Sequence, residues 1–229
     1  MAATQRKDKA MPAGRKAFLF DLNGTMIDDM QYHIHAWHRI FNNLGANLSL
    51  ERMKEECYGK NHEVIERILP GRFTYEEKDA MSLAKEREYQ KAFRPYLKLL
   101  PGLDEFLRAS YHAGIKMAIG SAAIMFNIDF VLDGLNIRKY FQVLISADDV
   151  KKSKPDPETY LKCADALHFD PADCIVFEDA PKGVESALNA GMKCVVLTIL
   201  HEEDEFPLST DILGYFKDYN DPLVKKLIG

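Results

Sequence analysis

Apolar positions along the chain follow two rhythms. From residue 114 onward, short apolar runs alternate with amphipathic stretches. Residues 115–120 and 143–145 read as strands, with a helix over 124–135 between them. The next helix opens with Asp156 as its N-cap and Pro157 at the first helical position, where a missing N–H costs nothing. Residues 174–177 read as a strand, 181–190 as a helix closed by Gly191, and 193–200 as a further strand. Apolar runs alternating with amphipathic helices imply a parallel sheet covered on both faces, an α/β fold. The apolar run 17–20 supplies one more strand near the N-terminus, ending where a turn begins at Asp21.

Residues 30–94 break this rhythm. Ile34, Trp37, Phe41 and Leu44 recur at the three- and four-residue spacing of a helix face. Residues 76–93 hold neither Gly nor Pro and are rich in Ala, Glu, Lys and Arg, as a long helix would be. Pro95 and the Pro101-Gly102 turn mark the return to the alternating pattern. The expected organisation is a tail over 1–16, an α/β core over 17–29 and 95–229, and an all-helical insert over 30–94.

Composition narrows the partners. A net charge of −5 over 229 residues supplies no basic footprint for nucleic acid or an anionic membrane. The basic start (Arg6, Lys7, Lys9, Arg15, Lys16) is not followed by the roughly 7–15 apolar residues of a signal peptide. No run is long and apolar enough to span a bilayer. Cys57, Cys163, Cys174 and Cys194 form no C-x-x-C pair, and two of them lie in strand-like runs, as reduced structural cysteines do. The expectation is a cytoplasmic monomer acting on a small molecule.

Four chemistry-bearing elements stand at or just beyond strand ends: Asp21 in D-L-N-G-T, Ser121 after Gly120, Lys154 in S-K-P-D-P, and Glu178-Asp179. Ligands of parallel α/β sheets bind at that edge, so these residues can meet in one pocket. A carboxylate at a strand end is by itself often only a turn residue; three partner motifs decide against that here. A carboxylate nucleophile, a hydroxyl, an ammonium and an acidic pair suit phosphoryl transfer. Asp21 would attack phosphorus, Lys154 and Ser121 would bind its oxygens, and Asp179 with Glu178 would hold Mg²⁺.

In this order the motifs resemble the haloacid dehalogenase-like (HAD) superfamily, over almost all of residues 17–200. The F-E-D-A-P-x-G-V-E-S-A-x-x-A-G-M run completes the match. The resemblance implies a Rossmann-like core, a helical cap inserted after the first motif, and a phosphoaspartate on Asp21. It implies Mg²⁺ held by Asp21, the Asn23 carbonyl and Asp179, with Glu178 nearby. The cap is similar to that of β-phosphoglucomutase and related sugar-phosphate phosphatases. On that similarity, Thr25, His33, Trp37, Gly59, Lys60, Asn61, His62, Lys85 and Ala122 are expected around a phosphorylated metabolite. Trp37 and Met81 are also expected to pack the cap. The crowding of His33, His35 and His38 lacks the i, i+4 spacing of a zinc helix.

Three departures matter. His62 stands where the mutase has an arginine for its second phosphate, and Ala123 and Ile124 replace polar phosphate-binding residues. Asn23 replaces the aspartate that serves these enzymes as general acid and base, help typically worth about 10²–10⁴ in rate. An amide can still lend its backbone carbonyl to a metal. Three readings follow: a phosphatase or phosphotransferase, a true β-phosphoglucomutase, or a metal- and phosphate-binding protein with impaired catalysis.

Overall fold

The computed structural model describes residues 16–229; apart from Lys16, the expected tail over 1–16 lies outside them. Six parallel strands form one sheet: β1 (Ala17–Phe20), β2 (Lys116–Gly120), β3 (Val143–Ile145), β4 (Cys174–Glu178), β5 (Lys193–Leu197) and β6 (Ile212–Phe216). Their order across the sheet is β3-β2-β1-β4-β5-β6. β1 is therefore interior, and the chain reverses direction of travel there, between β2 on one side and β4 on the other.

Successive side chains of a strand point to opposite faces. Phe18 and Phe20 enter one layer, where their rings meet Phe106 and Phe177 at 4.6–6.4 Å between centroids. Ala17 and Leu19 enter the other with Tyr160, Val176 and Cys194. Both faces are covered, which is why these strands read as unbroken apolar runs.

Within residues 30–94 lie four helices: α1 (Met30–Asn43), α2 (Leu50–Glu56), α3 (Asn61–Ile68) and α4 (Tyr75–Phe93). Ile34, Trp37, Phe41, Met53, Val64 and Ile65 form a separate buried cluster, with Met81 packed against it. Leu44, expected on the same face, is only partly buried. The long helix α4 starts at a reciprocal cap, Thr74 Oγ1 accepting from the Glu77 N–H and Glu77 Oε2 from the Thr74 N–H.

The remaining helices are α5 (Leu103–His112), α6 (Met125–Gly134), α7 (Glu158–Leu167), α8 (Pro181–Asn189) and the short α9 (Pro222–Lys225). α7 begins one residue later than expected. Pro157 is the capping position, and Asp156 Oδ1 accepts the Glu158 N–H at 3.0 Å from one residue further back. β5 stops at Leu197 rather than 200: Thr198 still donates to Phe216 O of β6, and the chain then bends over 199–201. β6 has no counterpart in the sequence reading; Gly214 interrupts its run. Among the described residues, no helix is long and apolar enough to cross a membrane. All four cysteines are free thiols.

Candidate active site

Strand register delivers the acidic cluster. Phe20 lies level with Ile119 on β2 and Phe177 on β4, so Asp21 emerges beside Gly120 and Glu178. The Asp21 N–H still donates to Phe177 O at 3.0 Å, fixing the carboxylate one step beyond the strand. The turn that follows passes close to β4. Gly24 sits at φ +80°, and a Cβ there would lie 2.0 Å from Asp179 Oδ2. Glycine is required for both reasons. Thr25 Oγ1 donates to Asp179 Oδ1 at 2.8 Å, so this residue orients Asp179.

Glu178 is saturated by donors. Its Oε1 accepts from Lys154 Nζ at 2.7 Å and Tyr160 OH at 2.8 Å. Its Oε2 accepts the N–H groups of Asp179 and Ala180 at 2.9 and 3.0 Å. Gly183 of α8 leaves room for it, since a Cβ there would sit 1.8 Å from Oε1. The acid locks the turn from β4 into α8 and holds Lys154 in place.

Lys154 Nζ also donates to Asp21 Oδ1 at 2.6 Å. Burial works against its ammonium, but Asp21 and Glu178 outweigh that and raise its affinity for the proton. Asp21 shows the opposite balance. Burial, helped by the Glu178 charge, overrides the Lys154 ammonium and pushes its carboxyl up to about 7. Asp179 is raised as well, by burial and then by Glu178 and Asp21. One oxygen from each of Asp21, Glu178 and Asp179 falls within a 4.8 Å group. Three buried carboxylates against one ammonium leave negative charge that a cation or protons must offset. The oxygen-only donor set fits Mg²⁺, with Asp21 and Asp179 as the freer ligands.

Asn23 stands at the mouth of a second buried network. Its Nδ2 donates to Asp29 Oδ2 at 2.6 Å and lies 3.2 Å from His33 Nε2. Asp29 is fully buried and also accepts from Tyr89 OH at 2.5 Å, while its Oδ1 has no hydrogen-bond partner among the described residues. His33 stacks on Tyr89 with centroids 3.8 Å apart, and its Nδ1 meets Lys85 Nζ at 2.6 Å. Lys85 also donates to Glu86 Oε1 at 2.9 Å. Burial opposes ionisation of Glu86, but Lys85, His33 and hydrogen bonds from Asn61 and Asn127 prevail and hold its carboxyl down at about 2.

A cavity of about 640 Å³ lies between the sheet edge and the helices. Asp21, Asn23, Ser121, Ala122, Lys154, Glu178 and Asp179 line it from the sheet side. His33, Trp37, Gly59, Asn61 and Lys85 line it from the helices. Ser121 Oγ accepts the Ala123 N–H at 3.2 Å, which leaves its hydroxyl proton to donate.

Three expected substrate contacts lie elsewhere. Thr25 is buried behind Asp179. Lys60 reaches across to donate to Val150 O, because Gly59 turns the chain away from the cavity at φ +80°. His62 faces outward to Asp79 at 2.8 Å, with its ring edge-on to Tyr75. Trp37 both lines the cavity and packs flat on Phe41. The three clustered histidines diverge: His33 turns inward, His38 bonds Leu48 O, and His35 is exposed.

Sequence reasoning missed Asp29, Glu86, Tyr89 and Asn127. Asp29 precedes a helix, where an acid is an ordinary cap, yet its side chain makes no capping bond and turns back to Asn23. Glu86 lies in a charged helix whose pattern reads as solvated. The only available hint was its adjacency to Lys85.

The comparisons with known proteins agree with this geometry. The model of the haloacid dehalogenase-like hydrolases matches residues 18–197. The fructose-1-phosphate phosphatase YqaB of Escherichia coli is 31% identical over 186 residues, 80% of this chain and 96% of that protein. The β-phosphoglucomutase of Bacillus subtilis is 32% identical over 188 residues, 79% of this chain and 82% of that one. The crystal structure of β-phosphoglucomutase from Clostridium difficile has a TM-score of 0.80 at 26% identity, covering 94% of this chain and 97% of its own. The protein belongs to the haloacid dehalogenase-like hydrolase family.

Proposed function

We propose that the protein is a Mg²⁺-dependent phosphatase or phosphotransferase acting on a small phosphorylated metabolite, of the carbohydrate class named for its relatives. The observation that carries this reading is Asp21, held 2.6 Å from Lys154 Nζ at the floor of the cavity beside two further buried carboxylates. Asp21 attacks phosphorus and becomes an acyl phosphate. Lys154 and the Ser121 hydroxyl donate to the phosphoryl oxygens, where transition-state charge lies. Thr25 and Glu178 are positioning residues, acting through Asp179 and Lys154. Mg²⁺, held by Asp21, Asp179 and the Asn23 carbonyl, would offset the charge of the transferring group. The helices of 30–94 act as the cap that shields this chemistry from water.

A phosphatase is favoured over the mutase. His62 pairs with Asp79 away from the cavity, and Ala122 and Ala123 follow Ser121, so neither locus offers a side-chain cation to a second phosphate. The test is incubation with phosphate esters and anhydrides, with Mg²⁺ or EDTA, following phosphoryl label on the protein. Label on Asp21 and turnover, both lost in Asp21→Asn, are the expected results. Turnover that survives Asp21→Asn would overturn the nucleophile assignment. No label and no turnover on any phosphate would leave only the impaired binding protein.

A further inference from the structure

Position 23 faces the cavity, beside the nucleophile, and a leaving oxygen receives its proton from such a position. Here an amide occupies it, and the groups behind the amide are committed to one another. Asn23 Nδ2 donates to Asp29 Oδ2 at 2.6 Å, and Tyr89 OH donates to the same oxygen. His33 turns one ring nitrogen to Asp29 at 3.3 Å and Asn23, and the other to Lys85 at 2.6 Å, so neither is presented to the cavity. Lys85 Nζ gives two of its three protons to His33 and Glu86. Glu86 accepts from Asn61 at 2.7 Å and Asn127 at 2.6 Å, as an ionised carboxylate does. Asp29 does not line the cavity; it is a buried carboxylate turned away behind the amide.

We infer that the substrate is an activated phosphate, in class an acyl phosphate of a small carboxylic acid, whose leaving oxygen departs as an anion without taking up a proton. This rests on the Asp21 reading above, and it replaces the carbohydrate class of substrate given there. An alcohol is about as weak an acid as water, so its alkoxide needs a proton as the bond breaks, whereas a carboxylic acid near 4 gives a stable anion. In the first step the Asp21 carboxylate oxygen bonds to phosphorus, the bond from phosphorus to the acyl oxygen breaks, and that oxygen keeps the electron pair. In the second, water bonds to phosphorus, the Asp21 oxygen leaves with its pair, and the released phosphate retains the water's protons until it meets solvent. Met30, Ile34, Trp37 and Val64 also line the cavity, apolar surface that suits the hydrocarbon part of such an acid. With an amide and no base at position 23 to deprotonate water, the second step is the slower one and the phosphoenzyme accumulates.

The experiment compares kcat/KM for acetyl phosphate, phenyl phosphate and glucose 6-phosphate in the unmodified protein and in Asn23→Asp, all with Mg²⁺. The unmodified protein is expected to prefer acetyl phosphate over glucose 6-phosphate by at least about 10⁴, phenyl phosphate falling between. It should also show a burst equal to the enzyme concentration. Asn23→Asp should shrink the preference by about 10²–10⁴, the usual size of general acid–base help. Glucose 6-phosphate turned over within tenfold of acetyl phosphate by the unmodified protein, with activity lost in Asp21→Asn, would overturn this inference and leave the nucleophile in place. That comparison holds even if Asn23→Asp does not fold. A folded Asn23→Asp with an unchanged preference also overturns it. No turnover of any of the three, and no label on Asp21, removes the parent reading as well.

Discussion

If the three buried carboxylates hold Mg²⁺ as proposed, the stability of the protein should depend on pH and on Mg²⁺ together. Asp21 is raised from 3.8 to about 7, so the metal-free folded state holds a proton that the unfolded chain has lost. A carboxyl raised on folding contributes stability fully present below its unfolded value and lost as pH rises through its folded one. The interval from 3.8 to about 7 corresponds to about 4 kcal/mol. In a chain of this length each kcal/mol moves the melting temperature by about 2–4 °C. About 1 kcal/mol of that stabilisation is already lost at pH 4.5, so metal-free protein should melt roughly 6–12 °C lower at pH 8.5 than at pH 4.5 through this group alone. A cation that binds the ionised site at a hundred times its Kd returns about 2.7 kcal/mol, or roughly 5–11 °C. At acid pH it must displace protons and returns far less. Thermal melts in EDTA and in Mg²⁺ across this range measure both effects. Asp21→Asn, which cannot ionise, is the control for other titrating groups. A Mg²⁺ increment that is the same at both ends of the range, or an identical pH profile in Asp21→Asn, would refute the reasoning.

Gly24→Ala would force a Cβ to 2.0 Å from Asp179 Oδ2 at a positive φ, so it should cost about 1–3 kcal/mol and abolish the Mg²⁺ increment in melting temperature. Glu86 behaves oppositely to Asp21: its carboxyl is depressed from 4.5 to about 2, so its stabilisation is present above 4.5 and disappears as pH falls through about 2. Glu86→Gln should lose about 3 kcal/mol at pH 7 by chemical denaturation, with the deficit vanishing towards pH 2. Lys60→Met removes the bond from the helical insert to Val150 O; we expect a stability loss of about 0.5–1.5 kcal/mol and a raised KM with little change in kcat, measured on whichever phosphate the enzyme turns over.

Much of the architecture could be read from the chain because buried parallel strands leave a strong trace. The runs around Phe18, Ile119 and Val176 are apolar on both faces, and β3 was expected at the residues it occupies. The last strand escaped because Gly214 breaks the run and an edge position demands little burial. The sheet side of the cavity was readable for a related reason: Asp21, Ser121 and Asp179 all follow strands, and strand ends converge whatever the loops do. The helical side was not. Whether Lys60 enters the cavity depends on the turn at Gly59, and whether Glu86 is solvated depends on Asn127, forty-one residues away on another helix. Pairings of that kind are settled by packing between units, and local pattern carries no record of them.

The interior position of β1 has a consequence for synthesis. Cys174, which pairs with Ala17, follows it by about 160 residues, so at about 5–20 residues per second roughly 8–30 s separate their appearance at the ribosome. Throughout that interval Phe18 and Phe20 lack the β4 face they pack on, while the helices that follow have their own cluster to close around. β1, made before the other five strands of the sheet, is thus among the last to be completed. The nascent chain carries a sticky, unpaired edge beside helices that have a buried cluster of their own, which marks residues 17–20 as the segment a chaperone would hold.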